Sequence, residues 1–160
     1  LTVAVLDILV AWGLHGVFSP VNRHLSLLAA WFRLVYTAVL LVATVSLIET
    51  LNLLQLPGLD TIQRNLLVPH ELNGFFTTFN VGLGIFGGHL IILGYMIIRT
   101  NLMHWVLGAL LVVAGMGYLI DTLGTVLIDQ YGLNLASVTF IGELLLIGWL
   151  FWWGWRRKGG

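Results

Sequence analysis

Residues 102–128 read LMHWVLGALLVVAGMGYLIDTLGTVLI, and this stretch decides the fold class. Its only carboxylate is Asp121, and nearly all its other side chains are apolar or absent. As a helix the stretch would be about 40 Å long, which exceeds the roughly 30 Å hydrocarbon core of a bilayer. A transmembrane strand would need only about ten residues of alternating polarity. The stretch therefore predicts a membrane-spanning helix.

Four further apolar stretches repeat this pattern along the chain. Hydrophobic residues make up 59% of the 160 residues and charged residues only 9%, whereas a soluble domain carries about a quarter charged residues. The sequence predicts an all-α, polytopic transmembrane helix bundle, with residues 1–160 as a single domain. The five spans are expected at about residues 1–18, 25–54, 71–98, 102–128 and 136–155.

Charge and cysteine usage exclude several classes of protein. The net charge is zero, no basic patch is present, and the chain has no cysteine. A nucleic-acid partner and a disulfide scaffold are therefore not expected. The lipid bilayer is the expected partner.

The connection between the second and third stretches contains its own helix signal. Asp60, followed three residues later by Gln63, has the pattern of a capping box. Leu59, Ile62 and Leu66 would then lie on one helix face. Both a short helix on the membrane surface and an ordinary ordered loop fit this segment.

The positive charges predict the orientation of the chain in the membrane. Arg23, Arg99 and the run from Arg156 to Lys158 follow the first, third and fifth spans, which places them on one side. Arg64 alone lies on the other side. By the positive-inside rule the C-terminus is cytoplasmic and the first residue is external. Because the chain starts with Leu1 and not Met, we expect a further upstream helix, which would give six crossings.

Four ionisable residues are predicted at similar depth in four different spans. They are Asp7, Arg33, His89 and Glu143, each about 12 to 18 Å from the cytoplasmic helix ends. Charges inside a membrane are costly and mark candidate functional sites. They could form an internal polar clasp, a proton- or ion-coupled site or a ligand pocket, or they could snorkel at the lipid surface.

A second group of polar residues is predicted near the outer face. It consists of Glu49, Arg64, His70 and Asp121, which could form an ionic cluster or could simply be solvated helix ends.

Glycines in the third and fourth spans are spaced for helix packing. Small residues let helix backbones approach closely in lipid. We expect them to lie inside the bundle, with contact between oligomer subunits as the alternative. The positions are Gly84, Gly88, Gly108, Gly115, Gly117 and Gly124.

The catalytic motifs of known membrane enzymes are absent from the sequence. His70-Glu71 lacks the second histidine of a zinc protease, and no Gly-x-Ser-x-Gly elbow or phosphate loop occurs. We therefore expect no enzyme, no metal site and no required cofactor. The one weak candidate for an axial ligand to a tetrapyrrole pigment is His89.

Several motifs resemble, in order, a bacterial membrane family catalogued as domain of unknown function 4386. The most specific stretch is PVNRHLSLLAAWFRLVY at residues 20–36, and the resemblance extends over essentially the whole chain. Three shorter elements match further along, at residues 88–95, 117–121 and 142–144.

The resemblance implies a six-helix bacterial inner-membrane protein that is usually longer at its N-terminus. It implies no catalytic residue, because the family has no assigned activity. Arg33, His89, Asp121 and Glu143 fall in its motifs and are positions to test.

Three hypotheses for function follow from the sequence. The first is a non-enzymatic structural or accessory subunit of a larger membrane assembly. The second is a small proton- or ion-coupled transporter that uses the mid-membrane cluster. The third is a pigment- or lipid-binding membrane subunit that uses His89 or a groove.

Overall fold

The protein is an all-α bundle, as the sequence predicts. The computed structural model describes residues 1–100, 103–128, 131–132, 135 and 141–158, and these ranges contain helices and no strand. Three helices, α2, α3 and α4, are long and apolar enough to cross a membrane, and α1 and α5 are shorter apolar helices. The bounds are α1 Thr2–Phe18, α2 Arg23–Gln55, α3 Thr61–Ile98, α4 Trp105–Leu127 and α5 Ile141–Lys158.

The helices pack in chain order, with α2, α3 and α4 at the centre. The most extensive contacts join α2 to α3 and α3 to α4, while α1 packs on α2 and α5 packs on α4 at the two edges. Leu90, Leu93 and Ile97 of α3 and Leu111 of α4 are almost fully buried in the apolar core. The central helix α3 therefore supplies the largest share of the core.

Two pairs of facing glycines bring α3 and α4 into close contact. A Cβ atom on Gly94 would lie 2.5 Å from the carbonyl oxygen of Gly108, and one on Gly115 would lie 2.5 Å from that of Gly87. No side chain fits at these distances, so the two backbones touch. The antiparallel register of the pair is thereby fixed.

The remaining glycines singled out in the sequence lie on other contacts. Gly84 faces Thr122 of α4, and Gly88 faces Phe32 of α2. Gly117 is buried in α4, and Gly124 faces Tyr131 in the connection that follows α4.

Helix α3 begins earlier than the predicted third span. The capping box at Asp60 is present: its carboxylate accepts from the Gln63 backbone N–H at 2.7 Å, and the Gln63 side chain accepts from the Asp60 N–H at 3.2 Å. The helix then continues through Pro69 without a break. The segment that the sequence assigned to a loop or a surface helix is therefore the first part of α3.

The other helix ends lie within three residues of the predicted spans, except at the start of α5. Helix α5 starts at Ile141 in the described part of the chain and continues to Lys158. The expected start of the last span at Ala136 lies outside the described residues.

Candidate functional site

An ion pair between α1 and α2 lies in the polar centre of the bundle. The Arg33 Nε donates to Asp7 Oδ1 at 3.0 Å, and Nη2 donates to the same oxygen. The two side chains are only 17% and 11% exposed. Because both charges are largely removed from solvent, each depends on the other for compensation.

His89 of α3 extends this pair to a third helix. Its Nδ1 lies 2.9 Å from the carbonyl oxygen of Ala29, and since a carbonyl only accepts, Nδ1 must carry the proton. The Nε2 lone pair then faces Arg33 Nη1 at 3.5 Å. The imidazole is therefore neutral and bonded on both nitrogens, and the guanidinium donates to Asp7 and toward His89 at once.

An aromatic group connects the guanidinium to α4. The Arg33 Cζ lies 5.2 Å from the centre of the Phe86 ring, a distance at which a cation is attracted to the ring face. Phe86 contacts Tyr36 and Tyr118, with ring centres 4.9 and 6.1 Å apart. The polar residues of α1, α2 and α3 thus border an aromatic layer that ends at Tyr118.

Glu143 of α5 is held by Tyr118 and not by Arg33. The Tyr118 hydroxyl donates to Glu143 Oε1 at 2.6 Å. The structure therefore joins three of the four predicted deep residues and connects the fourth through an aromatic side chain. Sequence reasoning missed Tyr118, because a tyrosine in an apolar helix is not distinguishable from an ordinary core residue.

The geometry around His89 does not favour a tetrapyrrole. Both ring nitrogens face protein groups, and the residue is 1% exposed. The void beside it has a volume of about 10 Å³, room for one water molecule at most. A metal bound at Nε2 would have to displace Arg33, and the void has no room for the ring around it.

The predicted outer residues are arranged differently from the deep ones. We use "outer" for the end of the bundle at the α2–α3 turn. Arg64 Nη2 donates to the Leu56 carbonyl at 3.4 Å, while Glu49 and His70 are exposed. In the described part of the chain no hydrogen bond joins these three charged side chains.

Asp121, the fourth predicted outer residue, is bonded to the connection after α4. The Tyr131 hydroxyl donates to Asp121 Oδ1 at 2.8 Å. This bond raises the pKa of the Tyr131 phenol, because ionising it would place a second negative charge beside the carboxylate.

A cleft of about 440 Å³ opens between the outer halves of α3 and α4. Three phenylalanines line its α3 side, and the rest of its wall is largely polar. We call it the outer cleft. Its lining comprises Phe75, Phe76, Phe79, Asn80, Leu83, Tyr118, Asp121, Thr122, Thr125 and Tyr131.

The comparisons with known proteins give a family and no activity. A family model described as "Domain of unknown function (DUF4386)" matches residues 1–154. An "Uncharacterized protein" from Archaeoglobus fulgidus is 30% identical over 148 residues, which cover 92% of this chain and 76% of that relative. No solved structure matches the chain. Since this relative is archaeal, the bacterial inner membrane stays a prediction.

Proposed function

The chain belongs to the family described as domain of unknown function 4386, and from that premise we propose that it is a non-enzymatic integral membrane protein that acts as a subunit of a larger membrane assembly. The observation that carries the proposal is an exposed stripe of glycine and aromatic residues on each of the two edge helices. Such stripes are typical of surfaces where membrane helices meet.

The stripe on α1 lies directly opposite its packed face. Leu9, Trp12, Gly13 and Gly16 follow the spacing of one helix face, and Trp12 is 76% exposed. A Cβ on either glycine would meet nothing within 4 Å. The surface is therefore flat enough for another helix to approach closely.

Helix α5 repeats the arrangement at the other edge of the bundle. Gly148, Phe151, Trp152 and Trp155 have the same spacing, and all four are exposed. A Cβ on Gly148 would likewise meet nothing within 4 Å. A protein with one such face at each edge is suited to bridge two neighbours in a membrane.

The deep ion pair supports a structural role for the centre of the molecule. Asp7, Arg33 and His89 satisfy one another and join three helices. Breaking this network to move a substrate would expose unpaired charge in the membrane, which is costly.

Cysteine cross-linking tests the proposal, because the chain has no cysteine of its own. In native membranes Gly13→Cys and Gly148→Cys should form disulfide or bismaleimide adducts with another membrane protein. Val10→Cys and Ile147→Cys are controls, because they lie on the same helices, are exposed and sit about a quarter of a turn around the helix from the centre of each stripe. The control positions should give little adduct.

The mass of the adduct separates the outcomes of this experiment. A product heavier or lighter than twice the 17.7 kDa chain identifies a different subunit, which should purify with the chain unless Gly13→Leu and Gly148→Leu block its approach. Equal labelling at stripe and control positions, or a monomer in mild detergent with no partner, contradicts the proposal.

A second candidate, a proton-coupled carrier, is favoured by the surroundings of Glu143. In the described part of the chain its hydrogen-bond partner is the Tyr118 hydroxyl, and Tyr118 also lines the outer cleft. A proton could reach this acid from the outer side. In proteoliposomes with a pH-sensitive dye, Glu143→Gln should then abolish a flux that Glu49→Gln leaves intact. Absence of flux in the unmodified protein excludes the carrier and leaves the subunit proposal standing.

A further inference from the structure

We infer that the outer cleft binds an organic cation through its substituted ammonium group. The direction of the hydrogen bonds around the cleft favours a positively charged ligand. Every hydroxyl that lines the cleft donates its proton to the protein, so it can interact with a ligand only as an acceptor. The four bonds are Tyr118 to Glu143 at 2.6 Å, Thr122 to the Asn80 carbonyl at 2.7 Å, Thr125 to the Asp121 carbonyl at 2.8 Å and Tyr131 to Asp121 Oδ1 at 2.8 Å.

The charged group in the lining is negative, so it favours a cation as the hydroxyl oxygens do. Asp121 is the one charged side chain among the described residues that line the cleft. The raised pKa of Tyr131 keeps that phenol as a neutral donor to the Asp121 carboxylate. An anion would be repelled here.

The aromatic wall favours an organic cation over a hydrated metal ion. The rings of Phe75 and Phe79 are stacked with centres 5.6 Å apart, and Phe76 meets Phe75 edge-on at 5.3 Å. Ring faces attract alkylammonium groups, which bring apolar carbon with their charge. Among the described residues no three His, Cys, Asp or Glu side chains gather to hold a metal.

The size and position of the outer cleft further restrict the class of ligand. A cleft of about 440 Å³ falls within the range of small-molecule sites. It opens at the outer end of α4, where a dissolved amine and the ammonium headgroup of a lipid could both enter. The shared chemistry is an alkylammonium group, and the two sources are separated by experiment.

Binding of choline to the whole protein in dodecyl maltoside provides the test, measured by calorimetry or ligand-observed NMR. We expect saturable binding of choline and none of 3,3-dimethyl-1-butanol, its uncharged carbon analogue. Asp121→Asn keeps an oxygen that can accept from Tyr131 but removes the charge, and it should weaken choline binding by about tenfold or more. Glu49→Gln, an equal loss of charge at an exposed position outside the cleft, should have no effect.

A further variant and a lipid competition experiment also test the inference. Phe79→Leu should also weaken choline binding, and a thermal melt of each variant shows whether it folds. In nanodiscs, competition by phosphatidylethanolamine but not by phosphatidylglycerol identifies a lipid headgroup as the ligand source, whereas no competition identifies a dissolved amine. Equal binding of choline and its uncharged analogue, no choline binding at all, or full binding by folded Asp121→Asn would overturn the inference.

Discussion

Arg33 is the residue on which the polar centre of the bundle depends. One guanidinium donates to Asp7, faces His89 and lies over Phe86, so three side chains on α1 and α3 lose a partner if it is removed. We expect Arg33→Met to destabilise the protein by roughly 3 to 5 kcal/mol, because it leaves the Asp7 carboxylate buried without compensation. Unfolding in detergent, followed by circular dichroism, measures this loss.

A double-mutant cycle distinguishes the ion pair from a general packing effect. Asp7→Asn should also destabilise the protein, and the double variant with Arg33→Met should be more stable than the sum of the two losses predicts. We expect a coupling of about 1 to 3 kcal/mol, as for residues in direct contact. Additive losses would show that the two charges do not depend on each other.

At the scale of the helix, the facing glycines of α3 and α4 fix how these two helices align. Two glycines allow this contact to be tested. A Cβ atom added to Gly94 would lie 2.5 Å from a backbone carbonyl oxygen, whereas one added to Gly13 would meet nothing within 4 Å. Gly94→Ala should cost about 1 to 3 kcal/mol by forcing the helices apart, and Gly13→Ala should be neutral or slightly stabilising. Equal unfolding midpoints for the two variants would contradict the close contact.

The same glycines show how far sequence alone reaches. Spacing indicated Gly108 and Gly115 as packing positions, but their partners Gly87 and Gly94 were not singled out. The glycines of α3 lie on more than one face of the helix, and only the fold shows which face meets α4. Likewise Pro69 reads as a break, yet α3 continues through it. Its surroundings are exposed, so solvent can satisfy the carbonyl that the missing N–H leaves unpaired.

The residues of the candidate site likewise fall into those that the sequence predicted and those that only the fold reveals. Charge placement in an apolar sequence was sufficient to select Asp7, Arg33 and His89, because such residues are costly wherever they lie in lipid. It was not sufficient to identify Tyr118 or the outer cleft. Those depend on which face of α4 meets α5 and on the three phenylalanines of α3, and neither is marked by charge.

For the whole molecule, helix lengths and register show that α3 extends beyond the end of α4 on the side of the α2–α3 turn. In the contacts Asn80–Thr122, Gly87–Gly115 and Gly94–Gly108, the two residue numbers add to 202, so Leu127 at the end of α4 lies level with residue 75 of α3. Residues 61–74 then extend about 21 Å further. Gly74 faces Ser46 there, so α2 accompanies α3 as a helical hairpin.

This geometry predicts the sidedness of two exposed turns. Leu56 lies at the tip of the hairpin and is exposed. Pro20 lies in the turn between α1 and α2, at the opposite end of α2. The bias of Arg23 and Arg99 toward that end predicts that it faces the cytoplasm. In intact cells a membrane-impermeant maleimide should label Leu56→Cys at once and Pro20→Cys only after permeabilisation. The reverse pattern would show that the chain is inverted, and labelling of both from outside would contradict a membrane crossing by α2.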